Sequence, residues 1–84
     1  MSTWNDTSGF MFAMEGYFAS DLKDKAGDDT IHYYGFLNKY GNWYIIEKSD
    51  TPGTIRYYKG DSDYSTAWTG RETAPYNYFH TIFK

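Results

Sequence analysis

The sequence contains no cysteine, which excludes disulfides, thiolate metal sites and thiol catalysis. Valine is also absent, and only five isoleucines and two leucines are present. So little aliphatic content would normally suggest disorder. A folded chain of 84 residues has a thin core, and domains of this size often depend on a disulfide, a metal or a partner chain. Composition therefore leaves a partner chain as the expected source of extra stability.

Positive charge is scarce as well, since the chain has 8 basic and 11 acidic residues and a net charge of −3. A nucleic-acid binder of this size would normally be basic, so we expect no nucleic-acid partner. No run of 18 apolar residues occurs, so we expect no membrane partner. The first nine residues carry no lysine or arginine, unlike a signal peptide, and we expect synthesis in the cytoplasm.

The chain is rich in aromatic residues, which make up 23% of the sequence: 10 Tyr, 6 Phe and 3 Trp. Each aromatic side chain can bury roughly 150–250 Å². Aromatic packing can therefore replace the missing aliphatic core, and a folded, acidic domain is expected.

Alternating and β-branched residues predict three consecutive strands. Thr30 to Asn38 and Trp43 to Lys48 flank a turn in which Gly41 should take positive φ. Pro52 and Gly53 suit a type II turn before a third strand, Thr54 to Lys59. Short connections predict that the three strands form an antiparallel meander.

The segments on either side are less regular. After Gly60 comes a polar loop, for which we expect one helical turn capped by Asp61 or Ser62. Tyr76 to Phe83 alternates and is consistent with a fourth strand. Residues 10–18 are apolar and fit either an edge strand or a short helix. Residues 20–29 are charged and turn-like, with a helical turn expected from Asp21 to Ala26.

Candidate chemistry is sparse. His32 and His80 lie in alternating segments outside any catalytic motif, and so small a fold leaves little room for a cleft, so we expect no enzymatic activity and no cofactor. The acidic pairs Asp28-Asp29 and Asp61-x-Asp63 lack the glycine and closing glutamate of a calcium loop, so we expect no metal site. A glycan remains an alternative partner, because flat aromatic faces stack on sugar rings. The candidates for such stacking are Trp43, Trp68, Tyr76 and Tyr78.

Two groups of residues are predicted to matter most. In the polar loop, Trp68 should close the end of the sheet, and Arg71 should anchor the loop by stacking or by pairing with Asp61 or Asp63. In the N-terminal segment, an apolar block should lie at a subunit interface, because a free apolar edge would otherwise aggregate. The interface candidates are Phe10, Phe12, Met14, Tyr17 and Phe18.

Five segments of the chain resemble a recurrent pattern in small tailed-bacteriophage proteins: a first strand, a Trp-led strand, a strand ending in Gly-Asp-Ser, a Trp-x-x-Arg motif and a following Tyr. These segments are Tyr33–Leu37, Trp43–Lys48, Thr54–Tyr64, Ala67–Arg71 and Tyr76. The resemblance covers residues 30–78 and implies a virion-associated protein near tail or fibre components. It implies no catalytic residue.

Together these observations predict a single domain over residues 1–84 that is mainly β. Its core is an antiparallel meander of three to four strands over residues 30–84, with a structured polar loop, at most a short helix, and residues 1–29 as a docking segment. The function expected is that of a non-enzymatic structural or adaptor component of a bacteriophage particle, made in the host cytoplasm and located in the virion. Its expected partners are other virion proteins and further copies of itself. The alternatives are a small carbohydrate- or host-surface-binding module and a phage-encoded inhibitor of a host protein.

Overall fold

The computed structural model describes residues 13–83. The fold is mainly β, as predicted: four antiparallel strands form one sheet in the order β1-β2-β3-β4, and two short α-helices follow. The strands are β1 (Tyr17–Lys25), β2 (Asp28–Asn38), β3 (Trp43–Ser49) and β4 (Thr54–Gly60). The helices are α1 (Tyr64–Thr69) and α2 (Phe79–Ile82), with a 3₁₀ turn at Arg71–Thr73 between them.

The hairpin between β2 and β3 forms as the sequence predicts. Gly41 takes φ +89°, a conformation that residues with a side chain rarely adopt. The Asn38 side-chain oxygen accepts hydrogen bonds from the backbone N–H groups of Tyr40 and Asn42, each 2.9 Å long. These bonds satisfy turn donors that the sheet cannot reach. At the next turn, Gly53 also takes positive φ and the Thr51–Pro52 peptide bond is cis.

The fourth strand is not the one expected at Tyr76 to Phe83, and that prediction is wrong. There the chain makes one bridge to β4, where Asn77 and Tyr57 exchange backbone hydrogen bonds of 2.6 and 2.9 Å. It then turns into α2. Phe79 and Phe83 lie four residues apart, so the helical turn brings their rings to a stacked 4.9 Å. Alternation in this segment was compatible with both structures, and ring packing favours the helix.

The additional strand is instead β1. The helical turn expected from Asp21 to Ala26 does not form, because Asp21 to Lys25 pair with β2, from Asp21↔Gly35 to Lys25↔Asp28, and Ala26 lies in the turn that follows. Of the ambiguous residues 10–18, Tyr17 and Phe18 belong to this strand and residues 13–16 precede it. The charged side chains of β1 are tolerated because the strand lies at the edge of the sheet and faces solvent.

Each face of the sheet carries an apolar cluster. The first face holds four buried side chains and several partly buried neighbours, among them Met14, Tyr17 and Phe83. The buried members of this first cluster are Tyr34, Phe36, Tyr44 and Ile46. The second face holds Tyr33, Trp43 and Ile45, and α1 and Tyr76 pack over it. The aromatic residues thus fill both faces of the sheet, in place of an aliphatic core.

Helix α1 lies close to the second face because β2 has a glycine beneath it. A Cβ on Gly35 would collide with the Tyr64 hydroxyl and approach the Trp68 ring. The helix is not capped by Asp61 or Ser62, which corrects that expectation. Its N-cap residue is Asp63, at φ +57° and without a side-chain capping bond. The Ser62 carbonyl instead accepts a 2.7 Å hydrogen bond from the Trp43 indole, which ties the loop to β3.

Candidate functional site

The two edges of the sheet differ. The outer edge of β4 is occupied in part by the Asn77 bridge. Within residues 13–83, no strand pairs with the outer edge of β1. At the far end of this strand, the Ala26 backbone N–H donates a 2.9 Å hydrogen bond to Glu72, which fixes the β1–β2 turn to the 3₁₀ segment. As far as residues 13–83 are concerned, the outward backbone groups of β1 are unpaired, which is the arrangement that another strand can join.

The structure separates the predicted interface residues. Phe10 and Phe12 lie outside the described residues. Met14 and Tyr17 pack against the first cluster: the Met14 N–H donates a 2.9 Å bond to the Tyr44 hydroxyl, and the Tyr17 and Tyr44 rings meet edge-on at 5.0 Å. Phe18, the next residue of the strand, points away from the first cluster and is 71% exposed.

A further exposed residue of the same edge, Leu22, is 50% exposed and was missed by the sequence analysis. The sequence signal that could have identified Leu22 is its position as an isolated leucine inside a run of charged residues. Charged residues of alternating sign surround it, and the strand is irregular on both sides, between Ala19 and Asp21 and again between Asp24 and Lys25. Asp21 accepts a 2.8 Å hydrogen bond from the Tyr64 hydroxyl, so α1 holds this carboxylate in place. Burial of Tyr64, together with this bond to Asp21, raises the tyrosine pKa.

In the polar loop, Trp68 and Arg71 lie together. The Arg71 guanidinium carbon is 4.7 Å from the centre of a Trp68 ring, and its Nη1 donates a 2.8 Å hydrogen bond to the Trp68 carbonyl. Asp61 makes no ion pair with Arg71 within the described part of the chain, and it lines a cleft elsewhere.

This cleft has a volume of about 420 Å³ and opens at the end of the sheet where β3 begins and β4 ends. Its polar side chains are an amide, an ammonium and a carboxylate, from Asn42, Lys59 and Asp61. The Lys59 ammonium lies 5.3 Å from the centre of the Phe83 ring. The apolar and backbone lining comes from Met14, Tyr17, Trp43, Gly60 and Phe83. Sequence reasoning could not assemble this set, because it comes from four separate stretches of chain.

At the opposite end of the sheet, His32 bridges two carboxylates. Its Nδ1 is 2.7 Å from Asp24 and its Nε2 is 3.0 Å from Asp50, which also contacts the Lys48 ammonium at 2.6 Å. Burial lowers the His32 pKa, but the hydrogen bonds to Asp50 and Asp24 outweigh it and the net shift is upward. Because carboxylates only accept hydrogen bonds, both contacts require a doubly protonated ring. Neither nitrogen is then free to take a proton from a substrate.

The remaining sequence candidates are dispersed. His80 is exposed on α2, far along the chain from the His32 group. Trp43 is buried with its indole N–H already bonded, whereas Trp68 and Tyr76 are partly buried and Tyr78 is exposed. Among residues 13–83, no group of three or more acidic or histidine side chains is arranged to hold a metal ion. Over the same range, no helix has the length and apolar character needed to cross a membrane.

Comparison with protein-family profiles, with curated protein sequences and with solved structures gives no match.

Proposed function

We propose that this protein is a non-enzymatic structural or adaptor component of a bacteriophage particle, and that it acts by protein–protein assembly. The observation that carries this proposal is the open β1 edge with its exposed Phe18. A phenylalanine with most of its surface in water, beside unpaired backbone groups, is an aggregation risk in an isolated monomer. The same feature is useful to a chain that meets a partner there.

Two further observations support assembly. Large apolar side chains are exposed at other places too, and interfaces are enriched in aromatic residues. Besides Phe18 and Leu22, these exposed side chains are Tyr40, Tyr78 and Phe79. The resemblance of residues 30–78 to small tailed-phage proteins points to a particle as the place of assembly.

The test is to purify particles of the phage that encodes the chain and to measure its copy number by quantitative mass spectrometry. We expect a fixed stoichiometry with the tail or capsid proteins. We also expect Phe18→Ser to lower incorporation at least about tenfold, as for loss of an interface anchor. His80→Ser, which removes an exposed ring from α2 and leaves the β1 edge unchanged, is the matched control and should incorporate normally. A chain that is absent from particles but bound to one host protein would favour the inhibitor function instead.

The cleft favours a second candidate, binding of a neutral carbohydrate. Its volume is within the usual range for small-ligand sites. Within the described residues, the side chains of Asn42 and Asp61 have no hydrogen-bond partner, and Lys59 has only the face of Phe83. An amide, an ammonium and a carboxylate beside apolar walls supply both donors and acceptors with no net charge, which suits a ring bearing several hydroxyl groups.

We would titrate the protein with neutral hexoses and N-acetylhexosamine oligosaccharides and follow backbone amide shifts by NMR. Binding in the cleft should shift the amides of Asn42, Gly60 and Asp61, and Asp61→Ala should weaken it at least about tenfold, as for loss of a charged hydrogen bond. Asp29→Ala, at the opposite end of the sheet, is the control. If none of these sugars shifts the cleft amides, the carbohydrate candidate is wrong.

A further inference from the structure

We infer that two copies of this chain pair through their β1 edges, antiparallel, about a two-fold axis that passes through Leu22. The two sheets would then join into one continuous sheet of eight strands. This inference rests on the proposed function, since it names a second copy of the chain as the partner that β1 meets. It is carried by the charge pattern along the regular part of β1.

The regular part of β1 is short. The irregularities after Ala19 and after Asp24 leave Asp21 to Asp24 as the longest stretch in even register with β2, and Tyr17 to Ala19 as a shorter one. A continuous sheet requires that residues on the same face lie opposite one another, so the two-fold axis must pass through a residue. An axis through Asp21, Lys23 or Asp24 places that residue opposite its own copy, which sets like charges side by side. Leu22 is the only one of the four residues without a charge.

With the axis at Leu22, the neighbouring pairs are complementary. Asp21 of one copy lies opposite Lys23 of the other, and the reverse pair occurs on the far side of the axis. Both pairs lie on the face that α1 covers, where the Tyr64 hydroxyl already orients Asp21. Lys23 is exposed, and no ion pair within residues 13–83 engages it. The two Leu22 side chains meet on the other face and are removed from water.

The other edge of the sheet explains why pairing would stop at two copies. An interface that places the same patch of both chains in contact is closed, because it uses up the β1 edge of each chain. The β4 edge is partly occupied by the Asn77 bridge and cannot serve as a second regular edge at that position. A dimer, rather than a filament, is therefore the expected assembly of the isolated chain.

The experiment is sedimentation equilibrium of the 84-residue chain and of charge-reversal variants, from micromolar to millimolar concentration. We expect a reversible monomer–dimer equilibrium. Asp21→Lys alone and Lys23→Asp alone place like charges opposite one another twice, and each should weaken dimerisation about tenfold or more. An equimolar mixture of these two variants restores both attractive pairs and should form a heterodimer with nearly the wild-type affinity. The double variant D21K/K23D should dimerise by itself for the same reason.

Two controls distinguish an effect on the pairing of β1 from a general effect on folding. Tyr64→Phe removes the hydroxyl that holds Asp21 without changing any charge, and it should dimerise within about threefold of wild type. The pair Lys59→Asp and Asp61→Lys reverses charges at the β4 end and should have no effect on dimerisation. Circular dichroism checks that each variant is folded.

A monomer at millimolar concentration would overturn this inference, and so would a dimer that both single variants leave intact or that their mixture fails to restore. These outcomes are distinct from failure of the proposed function. If the chain is monomeric alone but is incorporated into particles, the assembly function is supported and the β1 dimer is wrong. If the chain forms a dimer that follows the charge rule but is absent from particles, the β1 dimer is supported and the particle function is wrong.

Discussion

Gly35 shows how strongly single positions constrain this small fold. It lies in the middle of β2, under α1, where a Cβ would meet Tyr64 and Trp68. We expect Gly35→Ala to destabilise the protein by about 1–3 kcal/mol, the usual effect of overpacking, measured by urea unfolding. Tyr64→Phe removes the hydroxyl that the new methyl group meets, so the double variant G35A/Y64F should lose less stability than the two single variants added together. Strict additivity would show that α1 does not press on this position.

The contact between Trp68 and Arg71 gives a second prediction at the residue scale. The Trp68 ring packs over the second face of the sheet and under a guanidinium group. Trp68→Ala should cost about 3 kcal/mol of unfolding free energy. Arg71→Gln, which keeps a long polar side chain but loses the cation, should cost about 1 kcal/mol. Chemical denaturation of both variants checks the order. If Trp68→Ala is as stable as wild type, the ring contributes nothing to the core.

At the scale of elements, His32 holds one end of the sheet together. It lies on β2 and contacts Asp24 of β1 and Asp50 of the turn after β3. The His32 pKa is raised in the folded state above its ordinary 6.5. Its contribution to stability is therefore fully present below pH 6.5 and is lost as the pH rises through the folded pKa. The Lys48 ammonium and His32 lower the pKa of Asp50, so that carboxylate remains charged throughout this range.

We expect the thermal midpoint of the wild type to fall between pH 6 and pH 8 by more than that of His32→Gln. His80→Gln, which alters the exposed histidine of α2, is the control and should retain the wild-type pH dependence. Differential scanning calorimetry at pH 5.5, 6.5, 7.5 and 8.5 measures both. Equal pH slopes for the wild type and His32→Gln would contradict the bridging role.

The individual strands also show which parts of the fold can be predicted from the sequence. Strands β2, β3 and β4 follow from alternating aromatic residues and from turns with Gly41 and Gly53, which are local signals. The β1 strand could not be found locally, because its run of charged residues resembles a turn and becomes a strand only through pairing with β2. The cleft was out of reach for the same reason, since its lining comes together only in the folded chain.

At the scale of the whole molecule, tyrosine replaces aliphatic residues as the main core-forming side chain, and this has a consequence at alkaline pH. Burial raises the pKa of Tyr33 to about 12, and it also raises that of Tyr44 to about 12 despite the hydrogen bond from Met14. Burial likewise raises the pKa of other core tyrosines: Tyr34, Tyr57, Tyr64 and Tyr76. In the unfolded chain all of them ionise near pH 10.

The unfolded state therefore loses protons before the folded state does, and stability decreases as the pH rises above about 10. We expect cooperative alkaline unfolding, seen as a joint loss of near-ultraviolet dichroism and a step in tyrosinate absorbance near 295 nm. Tyr44→Phe removes one shifted group and should move this transition to higher pH, once the two proteins are matched in stability at pH 7 with urea. Tyr40→Phe, which alters an exposed tyrosine at the tip of the β2–β3 turn, is the matched control and should leave the transition in place. Gradual ionisation of all ten tyrosines near pH 10 without unfolding would show that the aromatic rings do not form a dry core.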